Sequence, residues 1–290
     1  SAGGVDGGVN AGGYQQQSVG FIGGADYGVG ENWTVGINTG YVRSFIDFDV
    51  SDDSAGIDHY IAGLYGEYTV PDSLQYIGGG FVDLSLNYQL ARHESSRKIT
   101  SGSLNRIATA DYDSHVIRGR VSIGKDYIPR DHGVVLTPSL ITTYGVTRQE
   151  KIEETDALSL NMTLDETYSH QWAVGGELMI SRQQPFNSDL FGGRYNISPA
   201  VGVRVMEELK DTTVPVTAAF SANPTDTFSV EGPDINRTTV TAQANLRLTP
   251  TEQPRDGGFR QRPTIDLALS HARATTHDNT TIAFKLSWQW

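Results

Sequence analysis

The feature that most constrains the fold of this chain is a two-residue alternation of apolar and polar side chains. In residues 74–90 most even-numbered positions are apolar, as at Leu84 and Leu86, whereas odd-numbered positions include Asp83 and Asn87. Successive side chains of a β-strand point to opposite faces, whereas a helix repeats after 3.6 residues. The stretch therefore predicts a strand that separates an apolar medium from a polar one.

The same alternation recurs along the chain, and no helix of ordinary length is visible. Eleven strands are predicted, at residues 18–27, 33–41, 60–68, 74–90, 114–127, 134–144, 172–180, 197–205, 240–248, 265–269 and 282–290. The chain is therefore predicted to be an all-β protein.

Alternation alone does not distinguish a soluble β-sandwich from a membrane barrel, but three further features do. Several predicted strands are longer than the roughly 5–6 residues of globular sheets, and a bilayer-spanning strand needs about 9–11. Aromatic residues stand near strand ends, as at Trp33, Tyr41, Tyr60 and Trp172. Short connections alternate with long polar ones, at 46–58, 91–111, 148–167 and 210–235, as in outer-membrane barrels. We predict a transmembrane antiparallel β-barrel of about twelve strands, with eleven clear in this chain.

Composition excludes several other classes. The chain has 290 residues, no cysteine and a formal net charge of -12, which disfavours binding to nucleic acid. It has no run of 18 apolar residues, no nucleotide-binding motif and no nucleophile motif. Its seven histidines lack metal-ligand spacing, and the acidic segment 46–58 lacks a glycine and a closing glutamate at the positions that an EF-hand calcium loop requires. We therefore expect no metal, no cofactor and no catalytic residue.

The C-terminal strand carries apolar or aromatic residues at every second position. These residues are Ile282, Phe284, Leu286, Trp288 and Trp290. The pattern resembles the polar-x-Gly-x-x-aromatic-x-aromatic signal read by the barrel-assembly machinery, with departures at Ala283 and Lys285. The five residues are predicted to be an assembly signal, and the machinery a partner.

Two segments resemble the translocator β-domain of classical autotransporters, the type V secretion family. The first is VGFIGGADYGVGENWTVGINTGYVRS, residues 19–44. The second, residues 196–248, contains an acidic turn, an Ala-Phe loop and the sequence Phe-Ser-Val-Glu-Gly-Pro. With the C-terminal pattern, the resemblance covers residues 14–290.

The resemblance implies an outer-membrane barrel of twelve strands that anchors an N-terminal passenger and takes part in moving it to the cell surface. Its implied partners are the bilayer, lipopolysaccharide and a passenger or linker, which could belong to a separate chain. We expect residues 14–290 to be the barrel and residues 1–13, which are rich in glycine, to be a linker or a weak first strand. A twelfth strand, from residues 1–13 or from outside the chain, is predicted to pair antiparallel with strands 18–27 and 282–290.

Charged residues on the polar face are predicted to line the lumen. They are Glu67, Asp83, Arg118, Arg120, Glu177, Arg204, Arg247, Asp266 and Lys285. They could hold a linker or plug through charged hydrogen bonds, or simply make the wall of a water-filled pore polar. Some members of the family cut their linker at an Asn-Asn pair, which this chain lacks.

Three alternatives remain open at this stage. A barrel of the same shape could act as a channel or bind a partner protein without a passenger. An outer-membrane hydrolase would place a serine or aspartate beside a histidine at the extracellular rim, where His93 and His170 are the candidates. A soluble β-sandwich lectin would be extracted without detergent.

Overall fold

The computed structural model describes residues 1–5, 13–49, 53–71, 73, 78–129, 133–188, 193–210, 215–231, 237–251, 263–274 and 277–287. Most of them lie in β-strands. The wall strands are β1 Ala2–Val5, β2 Tyr14–Val29, β3 Trp33–Phe48, β4 Ser54–Thr69, β5 Gly80–Ser101, β6 Leu104–Lys125, β7 Val134–Gln149, β10 Thr167–Arg182, β11 Gln184–Ser188, β12 Gly193–Glu208, β15 Thr238–Pro250, β16 Thr264–Arg273 and β17 His277–Ser287. The connections contain β8 Ile152–Glu153, a 3-10 turn Leu158–Leu160, β9 Met162–Leu164, β13 Pro215–Phe220 and β14 Asn223–Glu231. No helix among these residues is long and apolar enough to span a membrane.

The wall strands form a closed antiparallel barrel of twelve strands, in which β10 and β11 together count as one. Each strand pairs with its neighbours along the chain, β10 pairs with β12, and β11 continues β10 alongside β12. The ring closes where β1 lies between β2 and β17. The predicted fold class is therefore confirmed, and all eleven predicted strands occur in the wall.

The predicted twelfth strand is present as β1, between the two strands that were predicted to be its neighbours. It is antiparallel to both neighbours and pairs with residues 14–17 and 277–280. The pairing lies near one end of each neighbour, where Ser18 also donates its amide to the carbonyl of Ser1 at 2.8 Å. Glycine suits this place, since a Cβ at Gly3 would stand 2.4 Å from the carbonyl oxygen of Asp278.

The two faces of the wall differ as the alternation predicts. Large apolar side chains project outward and stay exposed, including Leu64 at 59% and Leu140 at 73%. In water such a surface would be unfavourable, but in a bilayer it contacts lipid.

Predictions for the connections were partly wrong. The predicted loop 91–111 is mostly strand, because β5 and β6 continue as a long hairpin that turns at Gly102, where φ is +58°. The predicted loops 148–167 and 210–235 contain four short strands and a 3-10 turn. At the other end, β5 begins at Gly80 rather than at residue 74, and residues 74–77 lie outside the described residues.

Candidate functional site

All nine predicted lumenal residues lie on the same face of the wall. Glu67 stands opposite Asp83, and Glu177 stands opposite Arg204. The remaining neighbours are Arg118 beside Asn87, Arg120 beside Ser85, and Asp266 between Arg247 and Lys285. The intervening positions carry the exposed apolar residues, so the nine charged side chains belong to the lumenal face.

Two ion pairs satisfy four of these charges. Arg204 donates from Nε and Nη2 to Oε2 of Glu177 at 2.6 and 2.5 Å, and both side chains are mostly buried. Arg247 donates from Nε to Oδ1 of Asp266 at 2.5 Å. Both pairs join adjacent strands, so they stabilise the wall itself.

The charges on β4, β5 and β6 are less completely paired. Glu67 on β4 and Asp83 on β5 stand directly opposite each other on adjacent strands. Two like charges in this arrangement are unfavourable unless a cation lies nearby. Arg120 lies within electrostatic reach of Asp83 and Glu177, yet its Nε is buried without a hydrogen-bond partner among the described residues. Among the described residues, Arg118 donates one long hydrogen bond, 3.3 Å, to the side chain of Gln171. This part of the wall therefore presents two carboxylates near the guanidinium groups of Arg118 and Arg120, with no ion pair joining them among the described residues.

A lumenal tyrosine was missed in the sequence analysis. Tyr65 donates from its hydroxyl to Asp26 at 3.0 Å and reaches from β4 to β2 across Gly36 on β3. A Cβ at Gly36 would lie 2.3 Å from the Tyr65 ring, so only glycine leaves room for the contact. The signal was present, because Tyr65 occupies the same alternation as Glu67 and Gly36 is its partner on β3.

Neutral polar groups line another part of the lumen. Ser44 bonds to Ser18 at 2.8 Å and to Nε2 of His59 at 3.1 Å. His93 bonds to Ser114 at 2.8 Å and stacks on Tyr112. The hydrolase alternative required a serine beside a histidine, and His93 meets that requirement. However, Ser114 is 6% exposed and Ser44 is 1% exposed, so neither hydroxyl is open to a substrate.

The other hydrolase candidate, His170, has a different partner. Its Nδ1 bonds to the hydroxyl of Tyr144 at 3.0 Å, on the outer face. Among the residues that the structure describes, no group of three or more His, Asp or Glu side chains could hold a metal ion.

The predicted assembly signal is only partly within the described residues. Ile282, Phe284 and Leu286 project from the outer face of β17 and are exposed at 70%, 65% and 42%. Trp288 and Trp290 lie outside the described residues. The role of all five residues as a signal stays a prediction.

Comparisons with known proteins agree with this architecture. Residues 1–253 match the family described as the autotransporter beta-domain. No curated protein sequence matches the chain.

Solved structures of autotransporter domains share the fold. The chain is similar to the translocator domain of the autotransporter NalP from Neisseria meningitidis, with a TM-score of 0.71 and 14% identity, covering 100% of this chain and 85% of that one. It is also similar to the beta domain of the Bordetella autotransporter BrkA, with a TM-score of 0.58 and 16% identity, covering 98% and 94% of the two chains. The family match extends over most of the chain, and the barrel described above has the architecture of these two structures. The chain therefore belongs to the autotransporter beta-domain family.

Proposed function

We propose that the lumenal charges of this barrel hold the linker of an N-terminal passenger, which the barrel, as a member of its family, anchors in the bacterial outer membrane and helps to move to the cell surface. The work is physical rather than chemical. The wall satisfies backbone hydrogen bonds in lipid, and the lumen offers a polar route to a chain that would otherwise have to cross hydrocarbon.

The observation that carries the proposal is the incompletely paired group of charges on β4, β5 and β6. Among the described residues, Glu67 and Asp83 form no direct ion pair with a cationic side chain, although they stand opposite each other. A linker with a cationic side chain beside the two carboxylates would neutralise them. A pore without a guest would leave these groups to water, which is the prediction of the channel alternative.

We expect lipopolysaccharide and the barrel-assembly machinery to be partners as well. On the outer face, Arg92 lies over the ring of Tyr60 at 5.7 Å, at the boundary between the apolar surface and the extracellular extension. Cationic and aromatic side chains at this level suit an anionic lipid headgroup. The alternating outer face of β17 supports its proposed reading by the machinery.

We also expect no catalytic activity. The two Ser-His contacts are enclosed in the wall, and among the described residues neither histidine forms a hydrogen bond with a carboxylate. A nucleophile needs an accessible oxygen and an oriented base, and neither pair offers both.

The test uses a reporter segment and linker fused ahead of Ser1 and expressed in a Gram-negative host. We expect the reporter to become accessible to protease outside intact cells. The double variant Glu67→Gln with Asp83→Asn should lower the surface fraction while the barrel still shows heat-modifiable gel mobility. The matched control, Arg148→Gln with Glu166→Gln, removes an ion pair from the rim and should leave display unchanged. A reporter retained in the periplasm behind a folded barrel would refute the proposal.

A further inference from the structure

The extracellular connections build a second sheet. Its strands, β8, β9, β13 and β14, come from two separate connections, one between β7 and β10 and the other between β12 and β15. They are joined where residues 162–164 of β9 pair with residues 218–220 of β13, and Ser221 donates its amide to the carbonyl of Asn161 at 2.8 Å. We call these four strands the loop sheet.

The loop sheet is tied to the lumenal side of the long hairpin formed by β5 and β6. The register of that hairpin runs without interruption from Gly80 to Ser101, so Arg97 shares a face with Asp83, and Arg106 shares a face with Arg120. Both arginines donate to the segment that leads into β9: Arg97 to the carbonyl of Leu160 at 3.1 Å and Arg106 to the carbonyl of Ala157 at 2.9 Å. The loop sheet is therefore held toward the barrel axis.

The strongest attachment is an ion pair between Arg97 and Glu154. Arg97 donates from Nε and Nη2 to the two carboxylate oxygens at 2.8 and 2.6 Å. The same carboxylate accepts the amide of Met162 at 2.7 Å, and the Glu154 side chain is only 9% exposed. Such a paired and buried carboxylate is costly to leave without its partner.

A second attachment lies along the edge of β6, above its pairing with β7. Thr109 and Thr155 exchange both backbone hydrogen bonds, at 2.8 and 3.1 Å, and their hydroxyl oxygens are 3.1 Å apart. The hydroxyl of Thr109 also donates to Asp156 at 2.5 Å. Asp156 and Leu158 both have positive φ angles, +72° and +57°, so the turn is backbone-strained and depends on these contacts.

We propose that the loop sheet is a lid over part of the extracellular mouth, latched by Arg97 and Glu154, and that it is displaced when a chain passes. The contacts above hold the loop sheet on the lumenal side of the hairpin formed by β5 and β6. The displacement rests on the proposed function, because it assumes that the lumen is the route of the passenger.

The lid is tested by recording currents through the purified full chain in planar bilayers. Arg97→Gln and Glu154→Gln should each make high-conductance openings roughly tenfold more frequent, since each removes one partner of a buried pair. Thr109→Cys with Thr155→Cys introduces the only two thiols in the chain, at an antiparallel pair whose Cα separation suits a disulfide. Oxidation should suppress the openings, and a reductant should restore them.

The control is Arg148→Gln, which removes an exposed ion pair with Glu166 outside the latch and should leave the currents unchanged. If the latch variants fail to fold, the disulfide pair still decides the question. Wild-type currents in the oxidised cysteine variant would overturn the lid. That result would leave the reporter experiment on Glu67 and Asp83 unaffected, so the two proposals fail separately.

Discussion

Single side chains in this protein are distinguished by the face they occupy. Leu84 and Asn87 lie three positions apart on β5, but the first is 41% exposed on the outer face and the second faces the lumen beside Arg118. An arginine in hydrocarbon is unfavourable, whereas an arginine in a polar lumen is hydrated.

We therefore expect Leu84→Arg and Leu267→Arg each to lower the free energy of unfolding by about 2–4 kcal/mol near the bilayer midplane. Asn87→Arg should cost less, because the new charge is hydrated in the lumen although it faces Arg118. Urea titration followed by heat-modifiable gel mobility measures the difference. Equal tolerance of arginine at the three positions would contradict the assignment of the faces.

A second residue-scale prediction concerns Gly36. An added methyl group would meet the Tyr65 ring, so we expect Gly36→Ala to destabilise the barrel by roughly 1–3 kcal/mol. Tyr65→Ser removes the obstacle, and the double variant should be more stable than the sum of the single effects predicts. Additive effects in a double-mutant cycle would show that the contact between Gly36 and Tyr65 is not the cause.

Among the elements, the membrane-facing strands were predictable from sequence and the extracellular ones were not. Long alternation identified all eleven clear strands because each wall strand has lipid on one side and the lumen on the other. The sequence signal for β1 was weak because two of its four residues are glycine. Glycine has no side chain to show an apolar or polar face, and here it allows close packing against β17. The loop sheet was missed because its strands are short and its contacts, such as Arg97 with Glu154, join residues 57 positions apart.

The predicted assembly signal begins in β17, at Ile282, and includes Trp288 and Trp290 beyond the described residues. Trp288→Ala with Trp290→Ala should reduce the amount of folded barrel in the outer membrane, because the terminal aromatics combine recognition with interfacial anchoring. The comparison is the heat-modifiable fraction in outer-membrane preparations of variant and wild type. A wild-type amount of folded barrel in the double variant would show that Trp288 and Trp290 are not an assembly signal.

The loop sheet should also respond to acid. Hydrogen bonds from Thr109 and Thr155 hold the pKa of Asp156 below its ordinary value of 3.8, so the ionised form is favoured in the fold. A group with a lowered pKa contributes stability above its ordinary pKa and loses it as the pH falls through the folded value. We expect acidification below pH 3.8 to increase lid openings in bilayer recordings. Asp156→Asn should lack part of this response, and an unchanged response would exclude Asp156.

For the whole molecule, the account depends on one claim: a single wall separates lipid from a polar lumen that a polypeptide can occupy. The antiparallel ring, the outward apolar surface and the inward charges all follow from it. The site was predictable in part, because alternation placed the nine charges on one face. Which of them pair, and which keep free donors, depends on the register between strands and was not visible in the sequence.

The most direct measurement is a single-cysteine scan of residues 82–89 in a chain that has no cysteine of its own. Cysteines at 83, 85, 87 and 89 should react with a water-soluble, membrane-impermeant maleimide, and those at 82, 84, 86 and 88 only with a lipid-soluble reagent. The predicted result is labelling that alternates from residue to residue, with odd positions accessible from water and even positions accessible from lipid. Labelling without a period, or with the two reagents exchanged, would contradict the account.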